Sequence, residues 1–476
     1  MDRVEKVEMM DDDYIANYLK KWNLKEKQNV SIDLDDRLSI LPSDVLNIIL
    51  SKLPTKDAVK SSILSTRWKN LWKSLTNLDF DDSTLCSSRG RNSIGGASFS
   101  AFVNRVIISR DTPLIKKFRL SLWMPVHAFR IIAWVDAAVK QQVQEVDISL
   151  QLDGCYMLPN CLFLCESLTV LKLKIDSPLK VPDDICLPKL KVLCLSHVVV
   201  LDVFSIQQLL CSCPVLEEFS LLDCDWKSIK RTSIIAHNLK SLTIHHFRCS
   251  LLDQSRNPKI KICARNLKEL NFSSNLAVNF HLDSLYALFH ASIDVTVSRR
   301  GVQKILGYHV IKLLCRICRL KSLTISTDAL HSLACAGNFH KLPRFSNLTR
   351  IEVYMDSADF VNGSLIAILQ KSPNLESIKL VEGIETDIDL DENHLRMQQV
   401  PECFTTCLKR LDLGRFYGTS LEIQVLKFIL ENISVLERLR IRCSHPLSKD
   451  LKKQEEVRNQ LCMLPRSSVT CLIELS

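Results

Sequence analysis

Apolar residues recur along this chain in one short pattern, Leu-x-x-Φ-x-Φ, where Φ is apolar. Clear copies are "LTVLKL" from Leu168, "LKVLCL" from Leu190, "LEEFSL" from Leu216, "LKSLTI" from Leu239 and "LKELNF" from Leu267. They continue as "LKSLTI" from Leu320, "LTRIEV" from Leu348, "LESIKL" from Leu375, "LKRLDL" from Leu408 and "LERLRI" from Leu436. Weaker copies start at Leu75, Ile115 and Val143. The spacing is 22, 26, 23 and 28 residues from Leu168 to Leu267, then 53, then 28, 27, 33 and 28. The double gap holds "HASIDVTV", in which Ile293 and Val295 fit the last two positions of a degenerate copy. Each Φ-x-Φ predicts a short strand with alternate side chains inside. No copy can bury its own apolar face, so the copies must stack.

The segments between copies read as helices. "DVFSIQQLLCSCP" puts Val203, Ile206, Leu209 and Leu210 on one face, and "NGSLIAILQKSP" and "SLEIQVLKFILEN" behave alike. A period of 20–30 residues carrying this motif is the leucine-rich repeat signature. The expected fold is an α/β repeat solenoid, a curved leucine-rich-repeat horseshoe. Thirteen or fourteen strands at ~4.8 Å spacing would give a concave sheet of roughly 60 Å.

The pattern changes near the N-terminus. "LPSDVLNIILSKLP" (41–54) places Val45, Leu46, Ile49, Leu50 and Leu53 in a helical stripe bounded by prolines. A second helix is expected over "KDAVKSSIL" with Thr55 as its cap, presenting Ala58, Val59, Ser62 and Ile63. A third is expected over "RWKNLWKSL", capped by Ser65 or Thr66 and presenting Trp68, Leu71, Trp72 and Leu75. A three-helix unit of this size has a thin core, so part of its apolar surface is left for a partner.

Composition narrows the chemistry. Of 476 residues, 46% are hydrophobic and 24% charged, as in a globular chain. The net charge of +9 is small for this length, and no window carries a dense Lys/Arg block, which argues against a nucleic-acid face. The charged N-terminus does not read as a signal peptide, and no apolar run reaches the ~18 residues of a membrane span. The 19 cysteines are then reduced thiols of a cytoplasmic or nuclear protein, mostly small core residues.

Candidate chemical motifs each have a plainer reading. Cys315-x-x-Cys318 lacks a second pair and lies where a helix runs into a repeat, so buried thiols are expected. His245, His246 and Cys249 sit at a strand end, and no metal or cofactor is expected. Asp33, Asp35 and Asp36 have no matching His or nucleophile and read as a solvated linker. "RGRNSIGG" has no Lys-Ser/Thr after it and reads as a flexible loop, and no Gly-x-Ser-x-Gly appears.

The N-terminal unit resembles an F-box through Leu41-Pro42, Leu46, Ile49-Leu50, Leu53-Pro54, Asp57, Val59, Leu64-Ser65, Trp68 and Leu71-Trp72. With irregular leucine-rich repeats behind it, the chain is similar to the plant F-box/LRR group. The tail is similar to the FBD region that closes many such proteins, through Gly418, the helix from Leu421 to Leu430, Leu436 to Ile441, Ser468 and Cys471. The resemblance implies an N-terminal extension (1–32), an F-box (33–80), a linker (81–100), repeats (101–400) and an FBD region continuing them (401–476). It implies a non-catalytic substrate receptor of an SCF-type ubiquitin ligase. A SKP-family adaptor would be held by, or with the support of, Leu41, Pro42, Leu46, Ile49, Leu50, Leu53, Pro54, Val59, Trp68 and Trp72. A cullin would join through that adaptor, and an unnamed protein target would bind the repeat surface. Other readings of the same residues are a scaffold without ligase activity, a hormone-like small-molecule receptor and a nucleic-acid-binding solenoid.

Overall fold

In the computed structural model, residues 41–83, 93–124, 126–150, 158–200, 203–226, 231–247, 259–274, 279–283, 285–295, 303–354, 363–384 and 399–476 are described. The N-terminal extension, Asp33, Asp35, Asp36, the His246 side chain and Cys249 lie outside them. Strands β1 (Asn77–Asp81), β2 (Lys117–Leu122), β3 (Glu145–Leu150), β4 (Val170–Ile175), β5 (Val192–Ser196) and β6 (Glu218–Leu222) open the solenoid. Then come β7 (Arg231–Ile235), β8 (Ser241–Phe247), β9 (Lys259–Cys263), β10 (Glu269–Ser274), β11 (Asn279–Asp283) and β12 (His290–Val295). The last six are β13 (Ser322–Ser326), β14 (Arg350–Tyr354), β15 (Ser377–Leu380), β16 (Arg410–Phe416), β17 (Arg438–Cys443) and β18 (Leu472–Leu475).

Fifteen of these strands form one parallel sheet, in the order β1-β2-β3-β4-β5-β6-β8-β10-β12-β13-β14-β15-β16-β17-β18. The cause is visible strand by strand. The two Φ residues of each copy point into one continuous core, and the ten leading leucines from Leu168 to Leu436 are at most 1% exposed. Asparagines beside those leucines tie successive turns together. Asn238 Nδ2 donates to the Pro214 carbonyl at 2.7 Å, Asn347 to Arg319 at 3.2 Å and Asn374 to Ser346 at 2.7 Å.

Three expectations need correction. First, the degenerate copy is Leu288-x-x-Ala291-x-Ile293, because Leu270 pairs with Ala291 and Phe272 with Ile293. A small residue at the first Φ position, fully buried, hid the register. Second, three returns are strands: β7, β9 and β11 form a separate parallel sheet, whereas Val203–Cys211, Ser364–Gln370 and Ser420–Asn432 are helices as expected. Third, the span 81–100 is not simply a linker. β1 already belongs to the solenoid, and a helix covers Ser93–Ile108. That helix also takes in Ser93 to Gly96 of "RGRNSIGG".

The C-terminal region continues the sheet through β16, β17 and β18. Its helix Ser420–Asn432 starts on a reciprocal cap, with Thr419 accepting from the Glu422 N–H and Glu422 accepting from the Thr419 N–H at 2.9 Å. Ser468 Oγ donates to the Leu436 carbonyl at 2.6 Å and fixes the last crossing.

Candidate functional site

The N-terminal unit begins with α1 (Ser43–Ser51), where the Pro42 carbonyl accepts from the N–H groups of Val45 and Leu46 at 3.0 and 3.1 Å. Pro54 then leads into α2 (Thr55–Lys60), which tightens into a 3-10 turn over Ser61–Ile63. The third expected helix is absent as such. Residues 66–70 are turns, followed by a 3-10 helix over Leu71–Ser74. The reason lies in the packing. Trp68 and Leu75 enter the small core, while Trp72 also packs against the solenoid core. One regular helix face cannot serve both directions.

The small core holds Leu46, Leu50, Ala58, Trp68 and Leu75, with Leu41, Leu71 and Trp72 against it. Leu46, Leu50 and Trp68 are therefore internal supports, 0%, 0% and 3% exposed. The predicted stripe divides. Leu46 and Leu50 turn inward, Ile49 is half-buried, and Val45 and Leu53 are exposed with Pro42 and Pro54. Ile48 (61% exposed), Ile63 and Leu64 (62%) complete the outer apolar set. Ile48 was missed because it falls between the stripe positions. Its signal was an isoleucine pair on a helix with only one buried side.

Thr55 does not cap α2 with its side chain. It is buried, and its Oγ1 accepts from the Asp79 N–H of β1 at 2.7 Å. Val59 also packs on the solenoid core. Arg110, with its charge disfavoured by burial, donates to the carbonyls of Leu75 and Leu114, the latter at 2.8 Å. The Asp111 N–H and the Thr112 hydroxyl both reach the Lys73 carbonyl at 3.2 Å. Val59 and Trp72 thus belong to a joint that fixes the helices on the first strand.

The sheet face opposite the core offers a second surface. Its central row begins with Asp79, Arg119 and Asp147, in which Arg119 bridges Asp79 at 2.8 Å, Asp81 at 3.3 Å and Asp147 at 4.0 Å. It ends with Glu352, Lys379, Asp412, Arg440 and Glu474, where Lys379 meets Glu352 at 2.7 Å and Arg440 meets Glu474 at 3.1 Å. The exposed Lys172 follows Asp147, and beyond it stand Cys194, Ser220, Thr243, Asn271, Ser292 and Thr324, all small or neutral and half-buried. Beside them Asp294 accepts from Ser273 Oγ at 2.9 Å, and burial, with Asp294 nearby, pushes the Tyr354 hydroxyl up to about 12. Among the described residues Asp294 Oδ1 is buried without a hydrogen-bond partner.

Among the described residues no group of three or more His, Cys, Asp or Glu is arranged to hold a metal ion. Cys213, Cys224 and Cys403 are core thiols pushed up to about 12 by burial. Cys315, expected to be buried, is exposed and donates to the Lys341 carbonyl at 3.4 Å. No helix among the described residues is long and apolar enough to cross a membrane.

The F-box domain profile matches residues 38–80, and the profile of the At1g61320/AtMIF1 leucine-rich-repeat domain matches residues 111–470. The chain belongs to the plant F-box/LRR family. Its relatives in Arabidopsis thaliana include the F-box/FBD/LRR-repeat protein At5g22660, 29% identical over 93% of this chain and 96% of that one. The F-box/LRR-repeat protein At4g14103 is 31% identical over 72% of this chain and 91% of its own length. The F-box/FBD/LRR-repeat protein At4g26340 is 28% identical over 91% of this chain and 98% of its own. The outer apolar set of 42–64 thus lies within the F-box of this family member, and the open sheet face from Arg119 to Arg440 within its repeat domain.

Proposed function

We propose that this chain is the substrate-recognition subunit of an SCF-type ubiquitin ligase. The F-box docks a SKP-family adaptor, a cullin joins through the adaptor, and the repeats hold a protein target. The observation that carries this reading is the split of the opening helix. Leu46 and Leu50 close a small core with Trp68, while Val45, Ile48, Leu53, Ile63 and Leu64 remain outside it. An apolar face left open on so small a unit calls for a partner. Leu41, Leu46, Leu50 and Trp68 act as its support, and Pro42, Ile49, Leu53 and Pro54 belong to or border the docking face.

The chain performs no bond chemistry in this scheme. It raises the local concentration of a target lysine near the charged enzyme, and a joint like that of Thr55, Val59 and Trp72 favours this by limiting the relative motion of adaptor and target. From Cys194 to Thr324 the central row carries neutral side chains, and its cations Arg119, Lys379 and Arg440 are paired with carboxylates, which favours a protein target over an acidic hormone-like ligand. The test is reconstitution with purified adaptor, cullin and charged enzyme. Capture of the adaptor and ubiquitin transfer to a partner bound at the repeats support the reading. Capture without transfer to any bound partner would leave a scaffold in its place.

A further inference from the structure

One edge of the solenoid is built differently from its neighbours. Just before each strand, a rim residue passes the chain from one repeat to the next. The Phe289 N–H donates to the Lys268 carbonyl at 2.8 Å, Lys321 to Phe289 at 2.9 Å and Thr349 to Lys321 at 2.9 Å. Lys268, Phe289 and Lys321 are therefore consecutive on this rim. Two other rim lysines are neutralised by rim glutamates: Lys240 meets Glu217 at 2.8 Å and Lys409 meets Glu437 at 3.3 Å. Lys268 and Lys321 have no ion pair among the described residues. The turns that precede these strands repeat the arrangement, with Arg265, Tyr286 and Arg319 in place of lysine, phenylalanine and lysine.

Two rows of cation, aromatic and cation thus lie side by side across β10, β12 and β13. All six side chains are exposed, Tyr286 at 76% and Phe289 at 52%. The Arg319 guanidinium lies 5.9 Å from the Tyr286 ring centre, and Lys321 Nζ lies 5.8 Å from that of Phe289. The rings therefore hold the cations of the next repeat in place. Glu269 is the acid at these strand starts and is exposed.

We infer that this rim patch docks an acidic, unphosphorylated segment of the partner protein bound by the repeats. The spacing sets its form. Lys268 and Lys321 stand two strand intervals apart, about 10 Å, which matches two carboxylates three residues apart on a polyproline-II-like chain, where every third side chain returns to the same side at ~3.1 Å per residue. An apolar residue between them would lie over Phe289. Nucleic acid fits less well, since its bases stack on successive aromatic side chains and this patch carries a single ring in each row. The inference rests on the proposal that the repeats hold a protein target. It is separable from it, because peptide binding requires neither adaptor nor cullin.

The test uses the full chain and a fluorescent peptide of three Asp-Ser-Leu-Asp units, read by anisotropy. A Lys268→Glu/Lys321→Glu double variant should weaken binding about tenfold or more at low salt, and Phe289→Ala about threefold. Lys409→Glu, on the self-neutralised part of the rim, should change it less than about twofold. Adaptor capture and the main cooperative melt, measured on the same samples, should stay unchanged and show that the F-box and the solenoid of the variants are folded. Equal losses from Lys409→Glu and the double variant would mean unspecific attraction and overturn the inference. So would tighter binding of a uridine-rich RNA or of a phosphorylated peptide than of the acidic one, or no binding by the parent protein.

Discussion

The F-box and the solenoid are built on opposite terms. The small unit closes over five buried residues, Leu46, Leu50, Ala58, Trp68 and Leu75. The solenoid runs one uninterrupted core from Leu78 to Cys471. In the first, a single anchor is a large share of the whole, and the outside stays apolar. In the second, each leucine is backed by copies on either side, and the middle of the open sheet face is polar. The lesson is that size decides where binding surface comes from. A thin core leaves apolar residues over, while a long stack can spend its open face on hydrogen-bonding side chains.

That contrast can be broken most forcefully in the stack. Leu242→Asp or Leu411→Asp puts a charge at a fully or almost fully buried strand position and should unfold the solenoid. A cooperative melt like the parent's would show that these positions are not core. Next comes Trp68→Ala, with an expected cost of about 3–5 kcal/mol confined to the N-terminal unit. Proteolysis should then release fragments cut before residue 76, while the main melt stays in place. Third, Ile48→Ala with Leu64→Ala should leave folding intact and weaken adaptor binding by about 2 kcal/mol, or roughly thirtyfold. Normal affinity in that variant would remove the docking face from the F-box exterior.

Smaller effects sharpen the joint and the far end. Thr55→Val removes the acceptor of the Asp79 N–H and should cost about 1–2 kcal/mol, read as faster hydrogen exchange at Asp79. Glu422 is fully buried, and burial raises its carboxyl above the ordinary value despite the N–H groups of Tyr417 and Thr419 that donate to it. The folded state then holds this proton more tightly than the unfolded state. Stability from this group is therefore greatest below the ordinary carboxylate value and falls as pH rises through the folded one. Glu422→Gln should flatten that slope, seen as a smaller change of melting temperature across mildly acid pH.

Much of this was legible in the chain. The Leu-x-x-Φ-x-Φ copies located the main-sheet strands from β1 to β17, though not β18, because their leucines answer to one requirement, burial between neighbours. Ala291 escaped because a small residue satisfies the same pocket without an apolar signal. The strand returns were legible too: "KIKIC" at 259–263 alternates cleanly, burying Ile260 and Ile262. Helical returns elsewhere drew attention from it. Trp68, Leu71, Trp72 and Leu75 carried helical spacing, yet they serve two cores and the backbone turns between them. The charge pattern of the open face could not be read in sequence, since Asp79, Arg119 and Asp147 become neighbours only once the register is known.

The strand returns also set the shape of the stack. Packed helices stand about 8–10 Å apart, whereas strands stand about 4.8 Å apart. Where helices follow one another behind the main sheet, the back is wider than the front and the stack must bend around its strands. From β6 to β12 the back consists of β7, β9 and β11, spaced like the front. Nothing forces a bend there. Over three strand intervals, about 14 Å, equal front and back spacing is expected to give a straight ledge. A partner lying along Thr243, Asn271 and Ser292 would meet a flat floor, and one gripping either arm would meet a curved wall.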